Sequence, residues 1–379
     1  GAWSLKRSTD DGLTPEQVEA VKRWRSAIMS VAVEEMGHLA LVANLTSAIG
    51  AGPQFSRPDF PVAAGRLPSG IILELSRFSP ELIDHFIFLE RPEGIELHDA
   101  TGFDPPLSYH RTMRKGRLMP SAQDYQTIGH LYRGIRHGFE VLSKVHGEDV
   151  LFCGDPASQI GHHEASLPGL ITVSDLASAE EAIGTIIEQG EGAPSHSEDS
   201  HYQRFVRMRE DYAAFMAADP GFEPAFPAAR NPVSRHPLES GPHVLINVPE
   251  TALVLDLANS VYSHMVRSLV QSFGRPPAHQ GDKMTLISLA IDLMFVLDGL
   301  ASHLASLPAN HVHPDVNAGM TFTLPRDLQR LPEGQSEQVL MAERLDELAT
   351  QAGHLFEAPH PLSATADQLR SIAAKVVFV

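Results

Sequence analysis

"SVAVEEMGHLALVANLTSAIG", residues 30–50, decides how this chain is read. At helical spacing Ile28, Val31, Glu35, His38, Val42, Leu45 and Ile49 follow one another by three and four. That is the pattern of an apolar seam facing the core of a helix bundle. Two of its positions, Glu35 and His38, are ionisable. A carboxylate buried in such a seam is costly unless it is neutralised, paired or bound to a metal. Glu35 and His38 stand at i and i+3, one above the other on a helix face. A Glu-x-x-His unit projecting into a bundle is the ligand pattern of carboxylate-bridged di-iron and di-manganese sites. A buried Glu–His hydrogen bond accounts for the same spacing without a metal. Glu34 points about 100° away and is the lesser candidate.

Outward from this stretch, Thr14 reads as a cap, Pro15 as the first helical residue and Gly50 as the stop. The helix so bounded is about 50 Å long at 1.5 Å per residue, a length used by long bundles. A Pro- and Gly-rich loop follows. "IILELSRF" reads as a short strand or extended segment, and "SPELIDHFIFLERPE" as a helix capped by Ser79 and stopped at Pro92. Further helices are expected at about 121–145, with Ile128, Leu131, Ile135, Gly138 and Leu142 as the seam, and at 174–190, where Ser178 and Glu181 match a capping box. Helix resumes at "HYQRFVRMREDYAAFMA". After a second proline-rich crossing, helices are expected near 252–273, 283–307 and 337–356. The fold class is mainly α with long crossovers. The domains are a helical bundle over 1–250 and a C-terminal helical extension over 251–379, packed on the bundle.

A bundle site needs ligands from a second helix. Ile183, Ile187 and Glu191 step by four, and Glu188 can also reach inward; His201 restarts the helix after the glycines around Glu191. His130 is the candidate from the helix between. Carboxylates with imidazoles suit iron or manganese, and the lack of thiolates argues against structural zinc. His162-His163-Glu164 reads as a solvated loop cluster. The glycines lack the spacing of a phosphate loop, and no nucleophile-elbow pattern occurs.

Composition narrows the partners. Of 379 residues, 43% are hydrophobic and 20% charged, and 29 basic against 47 acidic residues leave a net charge of −18. Such a surface repels phosphate backbones and anionic lipid, so neither nucleic acid nor membrane is an expected partner. The single cysteine, Cys153, forms no internal disulfide, fits a reducing compartment and is expected as a small buried thiol. No secretory leader is read at the start. The most apolar run, "TLISLAIDLMFVLDGLASHLASL", is cut by Asp292 and Asp298 and reads as a buried helix rather than a membrane span. The expected location is the cytoplasm.

"RSAIMSVAVEEMGHLALVANLTSAIGAGPQFSRPDFP" resembles the ferritin-like domain family found in iminophenylpyruvate dimer synthases, including enzymes of violacein and rebeccamycin-type pathways. "TIGHLYRGI", "IIEQGEGAPSHSEDSHYQRF" and "LASLPANHVHPDVNAGMTF" extend the resemblance to about residue 350. It implies a ferritin-like four-helix bundle with additional C-terminal helices. It also implies a non-haem iron or manganese site with Glu35 and His38 from one helix and Glu188 or Glu191 with His201 from another. The family's usual Thr-Ile-Gly-Glu reads Thr127-Ile128-Gly129-His130 here. Its first-helix glutamate lies upstream of the segment that "GAWSLKRS" resembles, so either this sequence starts after that ligand or this member lacks it. The function implied is oxidative chemistry on small aromatic imino or keto acids, with an amino-acid oxidase as partner and assembly into a homo-oligomer. The alternative is a metal-poor bundle serving as a binding or accessory protein.

Overall fold

At the start of the first helix, Gln17 N donates to Thr14 Oγ1 at 3.2 Å and Thr14 N donates to Gln17 Oε1 at 2.9 Å. This reciprocal cap launches α1, Pro15–Ala48, as one uninterrupted helix of 34 residues. Gly50 follows with φ +76°, a backbone state that glycine adopts without strain. The computed structural model describes residues 1–377 apart from 56, 63–66, 69, 104–120, 191–199, 237–242, 274, 276–278 and 325–327. It divides into two units. One comprises Gly1–Leu41, Phe60–Cys153 and Leu167–Phe226, the other Val42–Asp59, Gly154–Ser166 and Pro227–Val379.

In the first unit α1 is joined by α2 (Pro80–Leu89), α3 (Ile128–His146), the single turn α4 (Glu148–Leu151), α5 (Leu176–Gln189) and α6 (His201–Ala218). α2 packs on α6, and α3 on α5. α1 runs antiparallel to α6, because its partners there fall in number as its own rise. Gln17 donates to Asp219, Trp24 to Asp211, Arg204 to Ser30, and His201 to Glu34. The core centres on Trp24, stacked on Tyr212 at 5.3 Å and Phe78 at 5.7 Å between ring centroids. Ile83, Phe205, Met208 and Phe222 close around it. Aromatic faces of this size carry much of a small core's stabilisation.

In the second unit α7 (Pro249–Ser272) and α8 (Gln280–Leu304) pack against each other. α9 (Gln335–Leu355) lies on α7, and α10 (Thr365–Ala373) on α9 and α8. Leu255, Val261, Leu286, Leu293, Met341, Leu345 and Leu369 form the buried seam. Charges buried there are paired, as burial demands. Arg275 bonds Asp282 at 3.2 Å and also Glu337, and Lys283 donates to the carbonyls of Ala157 and Gln159 at 2.7 and 2.8 Å. The parallel pair β1 (Pro232–Val233) and β2 (Val244–Leu245) is the named sheet among the described residues.

Several expectations are corrected. Of the two readings of residues 71–78 the extended segment holds: Leu73 makes one isolated bridge to Val62, and no strand lies there among the described residues. The cap of α5 is Asp175 with Ser178, not Ser178 with Glu181: Ser178 N donates to Asp175 Oδ1 at 2.8 Å and Asp175 N to Ser178 Oγ at 3.1 Å. α3 starts at Ile128, the first residue of its seam, where Thr127 accepts from His130 N, seven residues later than the expected start at about 121. Cys153 is exposed, since it lies just beyond α4 in an irregular turn rather than on an apolar face. Two helical stretches, Pro15–Ala48 and Gly281–Leu304, are long and apolar enough to cross a membrane by length and composition. Asp292 within the second is paired with Lys375 at 2.7 Å.

Candidate metal centre

Four elements of the first unit meet at one cluster. α1 supplies Glu34, Glu35 and His38 from a single turn and its successor. Ser200 caps α6 by accepting from Gln203 N, which makes His201 the first helical residue and aims it back along α1. α2, started by Ser79 and Pro80, ends at Leu89, and its capping residue is Glu90. α5 ends at Gln189. A Cβ built on the following Gly190 would lie 3.4 Å from both His201 Nδ1 and His38 Cε1, so a residue without a side chain lets the backbone close over the two rings.

Glu35 Oε1 is the hub. It lies 3.1 Å from His38 Nδ1 and 3.2 Å from His201 Nδ1, and Glu90 Oε2 is 3.5 Å from the same His201 nitrogen. One ligand atom each from Glu35, Glu90 and His201 fall within 4.8 Å of one another. His201 is fully buried, and the Glu90 side chain is 12% exposed. The Glu35 side chain is 44% exposed, so this seam position opens toward solvent rather than into a closed core. Beyond these ion-pair contacts, His201 Nδ1 and Glu90 Oε2 are buried with no well-aligned hydrogen-bond partner.

The charges are strongly coupled. Burial pushes the Glu35 carboxyl up, but the imidazoles of His201 and His38 outweigh it and hold it at about 2. Burial pushes His201 down, yet the carboxylates of Glu35 and Glu90 raise it to about 10. Glu90 lies above the usual carboxylate range, chiefly through burial and then through the charge of Glu35, with the two histidines opposing.

These residues fit a divalent ion of the iron or manganese class. Two ligands about 2.1 Å from one ion and 90–110° apart lie about 3.0–3.4 Å from each other, close to the 3.2 and 3.5 Å separations around His201 Nδ1. The donors are carboxylate oxygen and imidazole nitrogen, and two of them are otherwise orphaned.

Of the residues singled out from sequence, Glu35, His38 and His201 come together, the two imidazole centroids 5.8 Å apart. Glu188 is exposed on α5 and stays outside the cluster. His130 accepts locally from Gln126 N and meets the Tyr125 ring edge-on, and it too is outside the cluster. Both belong to helical faces turned elsewhere: α5 reaches the site only through its last residue, and His130 sits in the first turn of α3. Glu191 lies outside the described residues. Glu90 and Glu34 were missed as participants. Glu90 stands at a helix end before Arg-Pro, where no periodicity speaks for it, and Glu34 lies about 100° around the helix from Glu35, off the apolar seam.

A family model described as Ferritin-like matches residues 1–210, more than half of the chain. The chain belongs to the ferritin-like family. Over 351 residues it is 29% identical to the dichlorochromopyrrolate synthase of Lentzea aerocolonigenes, a match covering 86% of this chain and 32% of that protein. Over 344 residues it is 28% identical to the 2-imino-3-(indol-3-yl)propanoate dimerase of Chromobacterium violaceum, covering 87% and 31%. This ferritin-like chain thus spans about a third of the length of these relatives. No solved structure matches it significantly.

Proposed function

We propose that this ferritin-like chain is a non-haem iron (or manganese) enzyme, cytoplasmic and soluble, acting oxidatively on small aromatic imino or keto acids. The observation that carries the reading is the meeting of Glu35, Glu90 and His201, with two buried ligand atoms otherwise unpartnered. Glu35, Glu90 and His201 would hold the ion, with His38 on the other side of Glu35. Bound there, the metal supplies Lewis-acid and redox chemistry. Glu35 spans the two imidazoles, and its half-exposed side leaves an approach for a small substrate. The substrate class rests on the relatives, one named for dichlorochromopyrrolate synthesis and the other for dimerising 2-imino-3-(indol-3-yl)propanoate. An amino-acid oxidase supplying the imino acid is the partner proposed with it, and a homo-oligomer the assembly.

A second reading has its own observation. A protonated His201 balances the charge of Glu35 without any metal, while burial favours the protonated form of Glu90 beside it, as a metal-poor binding or accessory protein would require. Metal content after chelator-free purification, with anaerobic Fe(II) titration, separates the two. The enzyme reading expects Fe(II) uptake that is lost in Glu35→Ala and His201→Ala, with both variants still folded. Equal, weak Fe(II) binding by wild type and both variants would favour the accessory protein.

A further inference from the structure

Both imidazoles of the cluster are held from outside by acceptors that are not among the candidate ligands. His201 donates from Nε2 to Glu34 Oε2 at 3.1 Å. Glu34 is itself fixed, because Arg204 donates to its other carboxylate oxygen at 2.6 Å. On the far side, His38 donates from Nε2 to Gln189 Oε1 at 3.1 Å. The two outer acceptors come from different elements, α1 and the last residue of α5, yet they do the same thing. A neutral imidazole has one N–H and one lone-pair nitrogen. Once a cation displaces the Nδ1 proton, an acceptor on Nε2 leaves Nδ1 as the nitrogen that binds, and Nδ1 is the atom that each ring turns toward Glu35 Oε1, at 3.1 Å from His38 and 3.2 Å from His201. Outer partners of this kind set tautomer and ring orientation in metal-binding histidines.

The clamps are unlike in charge. His201 is held by a carboxylate backed by a guanidinium, and His38 by a neutral amide. A carboxylate acceptor makes the opposite ring nitrogen the stronger donor, so the His201 side of Glu35 is the tighter half of the site.

Resting on the metal-centre reading above, we propose that Glu34 and Gln189 are positioning residues. They keep the ring protons of His201 and His38 on Nε2 and present the two Nδ1 atoms, one on each side of Glu35 Oε1, to divalent cations of the iron class.

The test uses the full chain loaded with Zn(II) as a diamagnetic probe and labelled with 15N at histidine. Long-range 1H–15N spectra report which ring nitrogen carries the proton, and a competition titration reports the Zn(II) dissociation constant. In wild type the two site histidines should show a protonated Nε2 and a metal-shifted Nδ1. Gln189→Leu should release the His38 ring from that tautomer and weaken Zn(II) binding about 10–100-fold, and Glu34→Leu should do the same for His201. Gln189→Glu and Glu34→Gln each keep an acceptor oxygen, so they should retain the tautomer and most of the affinity; they also guard against a Leu variant that misfolds. Tight Zn(II) binding with both rings unmoved in the Leu variants would overturn this proposal and leave the metal centre standing. So would a wild-type spectrum with the metal on Nε2. A wild-type chain that takes up no more Zn(II) than Glu35→Ala overturns the metal centre, and this proposal with it.

Discussion

His264, on α7 in the second unit, is 3% exposed, and its Nε2 has no hydrogen-bond partner. Burial, reinforced by the positive charges of Arg267 and Arg344, pushes it down from 6.5 to about 3. The folded chain therefore keeps this ring neutral at pH values where the unfolded chain protonates it. Between about 6.5 and 3 the unfolded state holds the extra proton, so stability falls as pH falls through that window; above it the ring contributes no slope. One proton corresponds to about 1.4 kcal/mol per pH unit. Unfolding free energies from urea titrations between pH 7 and pH 4 should fall more steeply for wild type than for His264→Leu, the difference approaching that slope. Equal slopes would mean that His264 titrates normally. Glu90 poses a different case, since its charge serves the cluster rather than the core. Glu90→Gln keeps the shape and removes the charge, and should lower Fe(II) affinity by at least about tenfold with little change in the metal-free melting temperature, as read by calorimetry. The spacing of Glu35 and His38 was legible along one helix because i and i+3 share a face. No local rule connects Glu90 or Glu34 to His201.

Among the elements, α1 and α6 hold the first unit through Trp24, which stacks on Tyr212 and Phe78 and donates to Asp211 at 2.8 Å. Trp24→Ala should cost about 3–5 kcal/mol through the cavity left behind. Trp24→Phe should lose about 1 kcal/mol through the missing hydrogen bond, plus some packing. Denaturant unfolding monitored by far-UV circular dichroism ranks the two, and an Ala variant as stable as wild type would remove Trp24 from the core. In the second unit the end of α1 is tied to the loop after Cys153. Gly154 N donates to Ala48 O at 2.9 Å, and a Cβ on Gly154 would fall 1.8 Å from Ser47 O. Because that neighbour is backbone, Gly154→Ala forces the loop off the helix end. The expected loss is about 3 kcal/mol, visible as a lower melting temperature. The ends of α1 and α2 could be foreseen from Thr14, Pro15, Ser79, Pro80 and Gly50, because caps act over three or four residues. The start of α3 could not, since Ser121, with Asp124 three residues on, reads as a helix cap just as Thr127 does.

Over the whole molecule, the charge of −18 sets what the surface attracts. At physiological salt, duplex DNA and phosphatidylserine vesicles should both leave the chain unbound in gel-shift and flotation assays; retention by either would point to a basic face that the net charge conceals. What the sequence determined by itself was the helical class, most helix boundaries and the ionisable pair in the α1 seam, because capping and periodicity operate within a few residues. The tertiary structure decided the rest. It sends residues 42–59 and 154–166 into the second unit although they interrupt the first in sequence. It brings Glu90 and His201 to Glu35 across separations of 55 and 166 residues. It also gives Glu34 and Gln189 to the outer nitrogens of His201 and His38. Such partnerships depend on where helix ends meet in space, and local spacing carries no record of that.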